Sequence, residues 1–448
     1  MAKGKKKEVL TLEERLQAAL VPESEQPYRV PGNWCWIYAL VMFDVEYGKG
    51  LSTKDLSESG YPVFGANGQI GFYKEYMFEE IKALMSCRGA YSGTMNLSLP
   101  KAFVTSNSLV INSKNNAVSE RFIFYLYSAL DKTSLISGSA QPQVTVQAFS
   151  NYFIPFPPLS EQQRIVECIE SLFAKLDEAR QKVQDVLDSF ESRKAAILHK
   201  AFSGELTVQW RKEHGVRREE WRNVSWGTFI TLIEAGRNWN AEGRPPKNDE
   251  FGVVKVSAVT WGEFNELESK TCTCVKQWNE NVQIHMGDFL FSRANTLQLV
   301  GNCVIVKDIS KRLMLSDKIL RFTFDNSVVP GYILNFTRSD LYRKQIEQLA
   351  SGNQDGMRNV SQKNMKLVEF PIPELNEQTE IVHILDSFFA KEQQAKEASE
   401  TVLEQIDLIK KSILARAFRG ELGTNDPAEE SALELIKQTL SETIANNE

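Results

Sequence analysis

One segment of this chain occurs twice. Residues 155–206 (PFPPLSEQQRIV…AFSGEL) return without a gap at 371–422 (PIPELNEQTEIV…AFRGEL), at a constant offset of 216 with 22 of 52 positions identical. The identical pairs include Glu161/Glu377, Gln162/Gln378, Ala174-Lys175/Ala390-Lys391 and Phe202/Phe418. The same local structure must therefore form twice, each copy after a globular segment. This predicts a two-fold molecule made from one polypeptide.

Both copies read as long helices. Pro155, Pro157 and Pro158 keep the chain extended, and Ser160 with Gln163 predicts a capping box. Apolar residues then fall at Ile165, Ile169, Leu172, Leu176, Ala179, Val183, Val186 and Phe190, in steps of four and three. That is a heptad seam. Gly204 is the expected stop. The second copy keeps the register with Ile381, Leu385, Phe388, Val402, Ile406, Ile409 and Ile413, and has Asn376 as expected N-cap and Gly420 as stop. Glu392, Ala395 and Ser399 interrupt its seam, so that stretch is expected to face something polar. A helix of ~40 residues is ~60 Å long, and one apolar stripe of that length needs a partner. The other copy is the obvious one, giving an antiparallel coiled coil.

The rest of the chain divides around these helices. The expected domains are an N-terminal helical segment (1–25), a first mixed α/β domain (26–154), the first helical region (155–207), a second α/β domain (208–370), the second helical region (371–423) and an acidic segment (424–448). The fold class is α+β with a pseudo-two-fold tandem duplication. Strand-like runs are Val253–Val256, Phe289–Phe291, Cys303–Val306 and Ile319–Phe324, and Tyr61–Phe72 reads as a hairpin around Asn67-Gly68. The two α/β domains also look related. Ala83–Arg88 resembles Asp288–Arg293, Val104–Asn107 resembles Met314–Asp317, and Ser137-Gly138 matches Ser351-Gly352. A tail helix over 427–444, with Leu433, Ile436 and Leu440, is expected to pack on a helix at 10–20.

The net charge of −6 conceals a division. The two α/β domains carry +1 and +4, the helical regions −2 and −4, and the last 25 residues −5. Such a split permits a polyanionic partner for the globular parts. Several chemistries find no motif. There is no P-loop: Gly48-Lys49-Gly50 is too short and reads as a turn. Gly65, Gly68 and Gly71 lack dinucleotide-site spacing. Cys272-x-Cys274 lacks a second pair for zinc, and the four histidines are isolated. Pro157-Pro158 and Pro245-Pro246 lack the flanking residues of an amino-methyltransferase motif. Six scattered cysteines and the absence of a signal peptide or apolar span point to a reducing cytoplasm.

The helix starts IPFPPLSEQQRIV and FPIPELNEQTEIV, the ends AFSGEL and AFRGEL, the turn YPVFGANGQIGF and the loop SGSAQPQVT, in this order, resemble the DNA specificity subunit of Type I restriction-modification enzymes. The resemblance covers nearly the whole chain. It implies two target-recognition domains separated by helical spacers, with no catalysis in this chain. It also implies double-stranded DNA as ligand and two methylation subunits that use S-adenosylmethionine to methylate adenine at N6. Restriction subunits would use ATP and Mg, all in the cytoplasm of a bacterium or archaeon. The alternatives are the recognition subunit of a related nuclease-methylase, or a coiled-coil assembly protein with no DNA role.

Base readers are usually Arg, Lys, Asn and Gln. The candidates are Asn67, Gln69, Arg88, Tyr91, Gln141 and Gln143 in the first domain, and Arg293, Asn295, Gln354, Arg358 and Asn359 in the second. Lys74, Lys101, Arg237, Lys318 and Arg321 are candidate phosphate contacts. For each, the competing reading is a solvated loop residue or turn former. Ile165, Leu172, Leu176, Val186, Leu385, Phe388, Ile406 and Ile413 are expected in the coiled-coil seam rather than at a ligand.

Overall fold

The computed structural model describes residues 11–247, 249–354 and 357–445. Two compact units emerge. One comprises the chain up to Val183 and the chain from Thr401 on; the other runs from Gln184 to Glu400.

The units share one topology. In the first, strands Phe43–Tyr47, Ser108–Ser113, Ala83–Ser86 and Met95–Leu97 lie in that order in an antiparallel sheet. In the second, Ile230–Ala235, Ile319–Phe324, Phe289–Ser292 and Cys303–Ile305 follow the same first-fourth-second-third order. A second sheet in each unit contains one parallel pair, Tyr61–Gly65 with Phe103–Val104 and Phe251–Val254 with Arg312–Met314. The duplication therefore extends through the α/β domains. Alternation buries one face of each antiparallel sheet against helices. In the first unit Phe43, Met85 and Ile111 meet Phe122 and Leu126 of helix Glu120–Ala129, whose N-cap is Ser119. The Asn67-Gly68 hairpin forms as expected, with Gly65 paired to Gly68 and Gly68 at φ +74°.

The long helices depart from expectation at their starts and in the middle. They begin at Leu159 and Leu375, so Ser160 and Asn376 lie inside the first turn and do not cap it. Instead, Gln162 and Gln378 fold back at equivalent places, their Nε2 groups donating to the carbonyls of Pro157 (2.9 Å) and Pro373 (3.0 Å). The first copy is not one helix but two, Leu159–Asp188 and Phe190–Ser203. At the break the Ser189 hydroxyl donates to the Val186 carbonyl (2.7 Å), competing with the helix ladder. The second runs unbroken over Leu375–Ala417. Gly204 ends the first copy in the left-handed conformation, and Gly420, three residues past the second, also has positive φ.

The seam is buried at Ile165, Leu385 and Ile406 and half-buried at Leu172, Leu176, Phe388 and Ile413. Val186, assigned to the seam, is 44% exposed, and Val402 and Ile409 are also exposed. A 3.6-residue helix drifts off a strict heptad, and Leu187 is the more sheltered neighbour of Val186. Polar pairs hold the alignment. In the first unit Asp177 meets Lys410 and Arg180 meets Asp407, so the helices there run antiparallel. In the second unit Arg193 grips Glu392 through two nitrogens, its NH2 lying 2.8 Å from Oε2. The polar partner expected at Glu392 is thus an arginine of the companion helix.

The start of each helix is tied to the segment beyond the end of the other. Glu161 is fully buried and accepts from Trp34 Nε1 (2.6 Å), Asn425 Nδ2 (2.8 Å) and Thr424 Oγ1 (3.2 Å). Glu377, its repeat equivalent, accepts from Trp221 Nε1 (2.8 Å), Arg211 NH1 (2.6 Å) and Thr207 Oγ1 (2.6 Å). Each tryptophan immediately precedes the strand, Cys35–Tyr38 or Arg222–Ser225, that pairs with the strand feeding the helix. In the first unit helix Ala432–Ala445 packs on helix Leu12–Ala19, with Ile436 fully buried. Leu10, at the start of the expected N-terminal helix, lies outside the described residues.

Candidate nucleic-acid interface

In the first unit three polar loops converge where strand Ala83–Ser86 ends. The hairpin tip with Asn67 and Gln69 is anchored by Ser86 Oγ, which donates to the Ala66 carbonyl. Arg88 forms an antiparallel bridge with Gln143. The Gly89 amide and the Ser92 hydroxyl donate to the Pro142 carbonyl (2.9 and 2.7 Å), joining the Tyr91 turn to the loop of Gln141. Asn67, Gln69, Arg88, Tyr91, Gln141 and Gln143 are all exposed on this cluster. Beneath it, burial raises the Cys87 thiol pKa, and the charge of Arg88 opposes that shift. The arrangement can present amide and guanidinium donors and one aromatic ring to a polar ligand.

The second unit builds the same place from strands Ala294–Asn295, Ser351–Gln354 and Met357–Asn359. Here more side chains are turned inward. Asn295 donates to Thr260 Oγ1 (3.3 Å) and accepts from the Thr296 amide (2.8 Å). Arg358 NH1 donates to the Gly352 carbonyl (2.6 Å). Asn359 is half-buried, and Gln354 lies in its strand pairing with Met357.

The expected equivalence of Arg88 and Arg293 is corrected by the hydrogen-bond ladder. The Cys87 amide donates to the Asn107 carbonyl, and the Arg293 amide to that of Lys318. The carbonyls of Cys87 and Arg293 accept from Val144 and Val360. Arg293 thus stands where Cys87 stands, and Arg88 corresponds to Ala294, which pairs with Asn359 as Arg88 pairs with Gln143. Aligning Ser86 with Ser292 would have given this register. The match of Val104–Asn107 with Met314–Asp317 holds at its start, where Val104 pairs with Phe64 as Met314 pairs with Val253. It is one residue out at its end: Thr105 takes the place of Ser316, and Asn107 that of Lys318.

Among the candidate phosphate contacts, Arg321 departs from expectation. Its side chain is 11% exposed and donates to Glu234, Asp288 and the carbonyls of Gln283 and Asn281. Burial alone would lower its pKa, but the hydrogen bonds to Glu234 and Asp288 outweigh it and the net shift is upward. This arginine, on an inner strand of the sheet, ties the neighbouring strand through Glu234 to the turn of Asp288. Lys74 and Lys101 are exposed beside Glu75 (3.7 Å) and Glu79 (3.5 Å). Arg237 is exposed and bridges Ser316, and Lys318 is half-buried. Reading the sequence missed Lys49, which takes the place of Arg237 in the first unit. The signal was a glycine before each cation, Gly48 and Gly236. Cys272 is buried and Cys274 exposed, and no cluster of three metal-ligating side chains occurs among the described residues.

A family model described as the Type I restriction modification DNA specificity domain matches residues 42–187 and 229–405. The chain belongs to this family. Each match covers one α/β domain and much of the helix that follows it. Among curated members, the EcoKI specificity subunit of Escherichia coli K12 is 27% identical over 299 residues, spanning 65% of this chain and 62% of that protein. The EcoEI specificity subunit of Escherichia coli is 23% identical, over 82% of this chain and 80% of its own length. The fold is shared with the HsdS subunit of Thermoanaerobacter tengcongensis (TM-score 0.55, 19% identity, 89% of this chain and 100% of that one). It is also shared with a chain from a type I R-M system studied for complex assembly and conformational transition (TM-score 0.62, 19% identity, 88% and 100%). No described helix is long and apolar enough to cross a membrane.

Proposed function

We propose that this chain is the non-catalytic specificity subunit of a Type I restriction-modification system. It binds a bipartite duplex sequence and directs adenine-N6 methylation and restriction by partner subunits. Methylation subunits supply S-adenosylmethionine, and restriction subunits supply ATP and Mg. The observation that carries this reading is the family match in both halves, each on a domain with the same strand order and a polar loop cluster at the same place. A split site suits two readers held at fixed separation and phase, since a DNA turn is ~34 Å. The readers differ at matched positions: Arg88 against Ala294, Cys87 against Arg293, Gln143 against Asn359. Arginine suits guanine, and asparagine or glutamine suits adenine. The two half-sites are therefore unlike, and the target is asymmetric.

Mapping N6-methyladenine across the host genome tests this. The expected result is one motif with two unlike halves around an unread spacer, lost when the gene for this chain is deleted. A methylation pattern unchanged by the deletion would refute the proposal.

A further inference from the structure

We propose that Lys49 and Arg237 are a matched pair of DNA-phosphate anchors, one per reader. The inference rests on the reading that the chain binds duplex DNA, and it adds a residue to the first reader that the sequence did not mark. The two cations occupy one structural place. Each follows the strand at the outer edge of its antiparallel sheet, Phe43–Tyr47 or Ile230–Ala235. Each makes a parallel bridge to the loop before the fourth strand, Lys49 to Thr105 and Arg237 to Ser316.

The glycine before each cation brings it there. A Cβ on Gly48 would stand 2.4 Å from the Thr105 carbonyl oxygen, and one on Gly236 1.7 Å from that of Leu315. No side chain fits between these backbones, so the approach of strand to loop is fixed in both units. The same loop then supplies the carbonyls of Asn107 and Lys318 that hold Cys87 and Arg293 in the polar clusters. Each cation is thus one short loop away from the candidate base readers.

Their surroundings set them apart. Lys74, Lys101 and Arg321 have carboxylates within 4 Å. Lys49 and Arg237 are exposed, and no ion pair or side-chain hydrogen bond joins either to a described residue. The loop is also unsatisfied, because Thr105 Oγ1 and Ser316 Oγ are buried without a hydrogen-bond partner among the described residues. An exposed, uncompensated cation at the same place in two diverged domains suits a ligand feature that is the same at both half-sites. Base sequence differs between unlike half-sites, whereas the phosphate backbone does not.

The test is the salt dependence of binding, measured on the chain in complex with its methylation subunits. The probes are a duplex containing the methylated motif and a duplex of scrambled sequence. Each phosphate contact contributes about 0.9 to the slope of log K against log salt. Lys49→Ala and Arg237→Ala are each expected to reduce the slope by about 0.9, and the double variant by about 1.8, on both probes alike. Lys182→Ala, on the helix and paired with Glu178, should leave the slope unchanged. A double variant with the wild-type slope overturns the proposal, as does a loss confined to the motif duplex, which would mark base reading. If the wild-type complex itself shows neither slope nor sequence preference, the DNA-binding reading fails, and that failure is distinct from the first.

Discussion

Replacing Glu377 with alanine is expected to destabilise the unit from Gln184 to Glu400 by about 3–5 kcal/mol, the range for breaking a buried ion pair. The carboxylate has 0% side-chain exposure and its partner Arg211 8%. Removing it strands the guanidinium in a dry site together with the indole N–H of Trp221 and the hydroxyl of Thr207. Arg211 cannot shed its charge as a lysine would. The double variant Arg211→Met/Glu377→Leu should recover much of the loss, because a buried pair replaced by apolar groups is often neutral. Glu161→Ala should cost less, since the groups that donate to it, on Trp34, Thr424 and Asn425, are neutral. Urea titration followed by circular dichroism measures this, read as two transitions if the units melt separately. A loss under about 1 kcal/mol for Glu377→Ala would show that water, not Glu377, satisfies Arg211.

Adding seven residues to both long helices, after Val183 and after Glu400, is expected to lengthen the unread spacer by about three base pairs while keeping both half-sites. Seven residues of helix add ~10 Å, against ~3.4 Å per base pair. A heptad also returns the apolar stripe to within ~20° of its original face. The insertion points fall at the boundaries between units, so the pairs that align the helices within each unit stay intact: Asp177 with Lys410, Arg180 with Asp407, Arg193 with Glu392. Insertion into one helix alone would set the two copies out of step, and little binding should survive. Genome-wide methylation mapping of a strain carrying the lengthened chain reads out the spacer. An unchanged spacer would exclude the helices as the ruler.

The helices, their glycine stops and the Asn67 hairpin were legible because local signals write them: heptad steps, positive-φ glycines, a two-residue turn. What the sequence did not disclose depends on partners far away along the chain. Glu161 and Glu377 were visible as an identical pair, but a glutamate on a helix ordinarily faces water. Only the fold brings Trp34 and Asn425 to Glu161. Arg321 looked like a free surface cation because its acceptors, Glu234 on another strand and Asp288 in a turn, are distant along the chain. The one-residue error at Arg88 arose because sequence similarity matched arginine with arginine. In a strand such a slip also reverses the face presented, and the backbone ladder decides the true register. Ser189 shows the opposite limit, a local competitor for the helix ladder inside an otherwise regular pattern.

The two units differ in when their sequences become complete during synthesis. Everything from Gln184 to Glu400 leaves the ribosome as one continuous stretch. The other unit is missing its last part until the end: Glu161 waits for Thr424 and Asn425, which follow it by 263 and 264 residues. At about 5–20 residues per second, that is roughly 13–50 s with the first reader made but unclosed. The earlier-translated reader is thus the later one to close, and during that interval its helix start and apolar seam stand open to chaperones, to proteases, or to the tail of another copy.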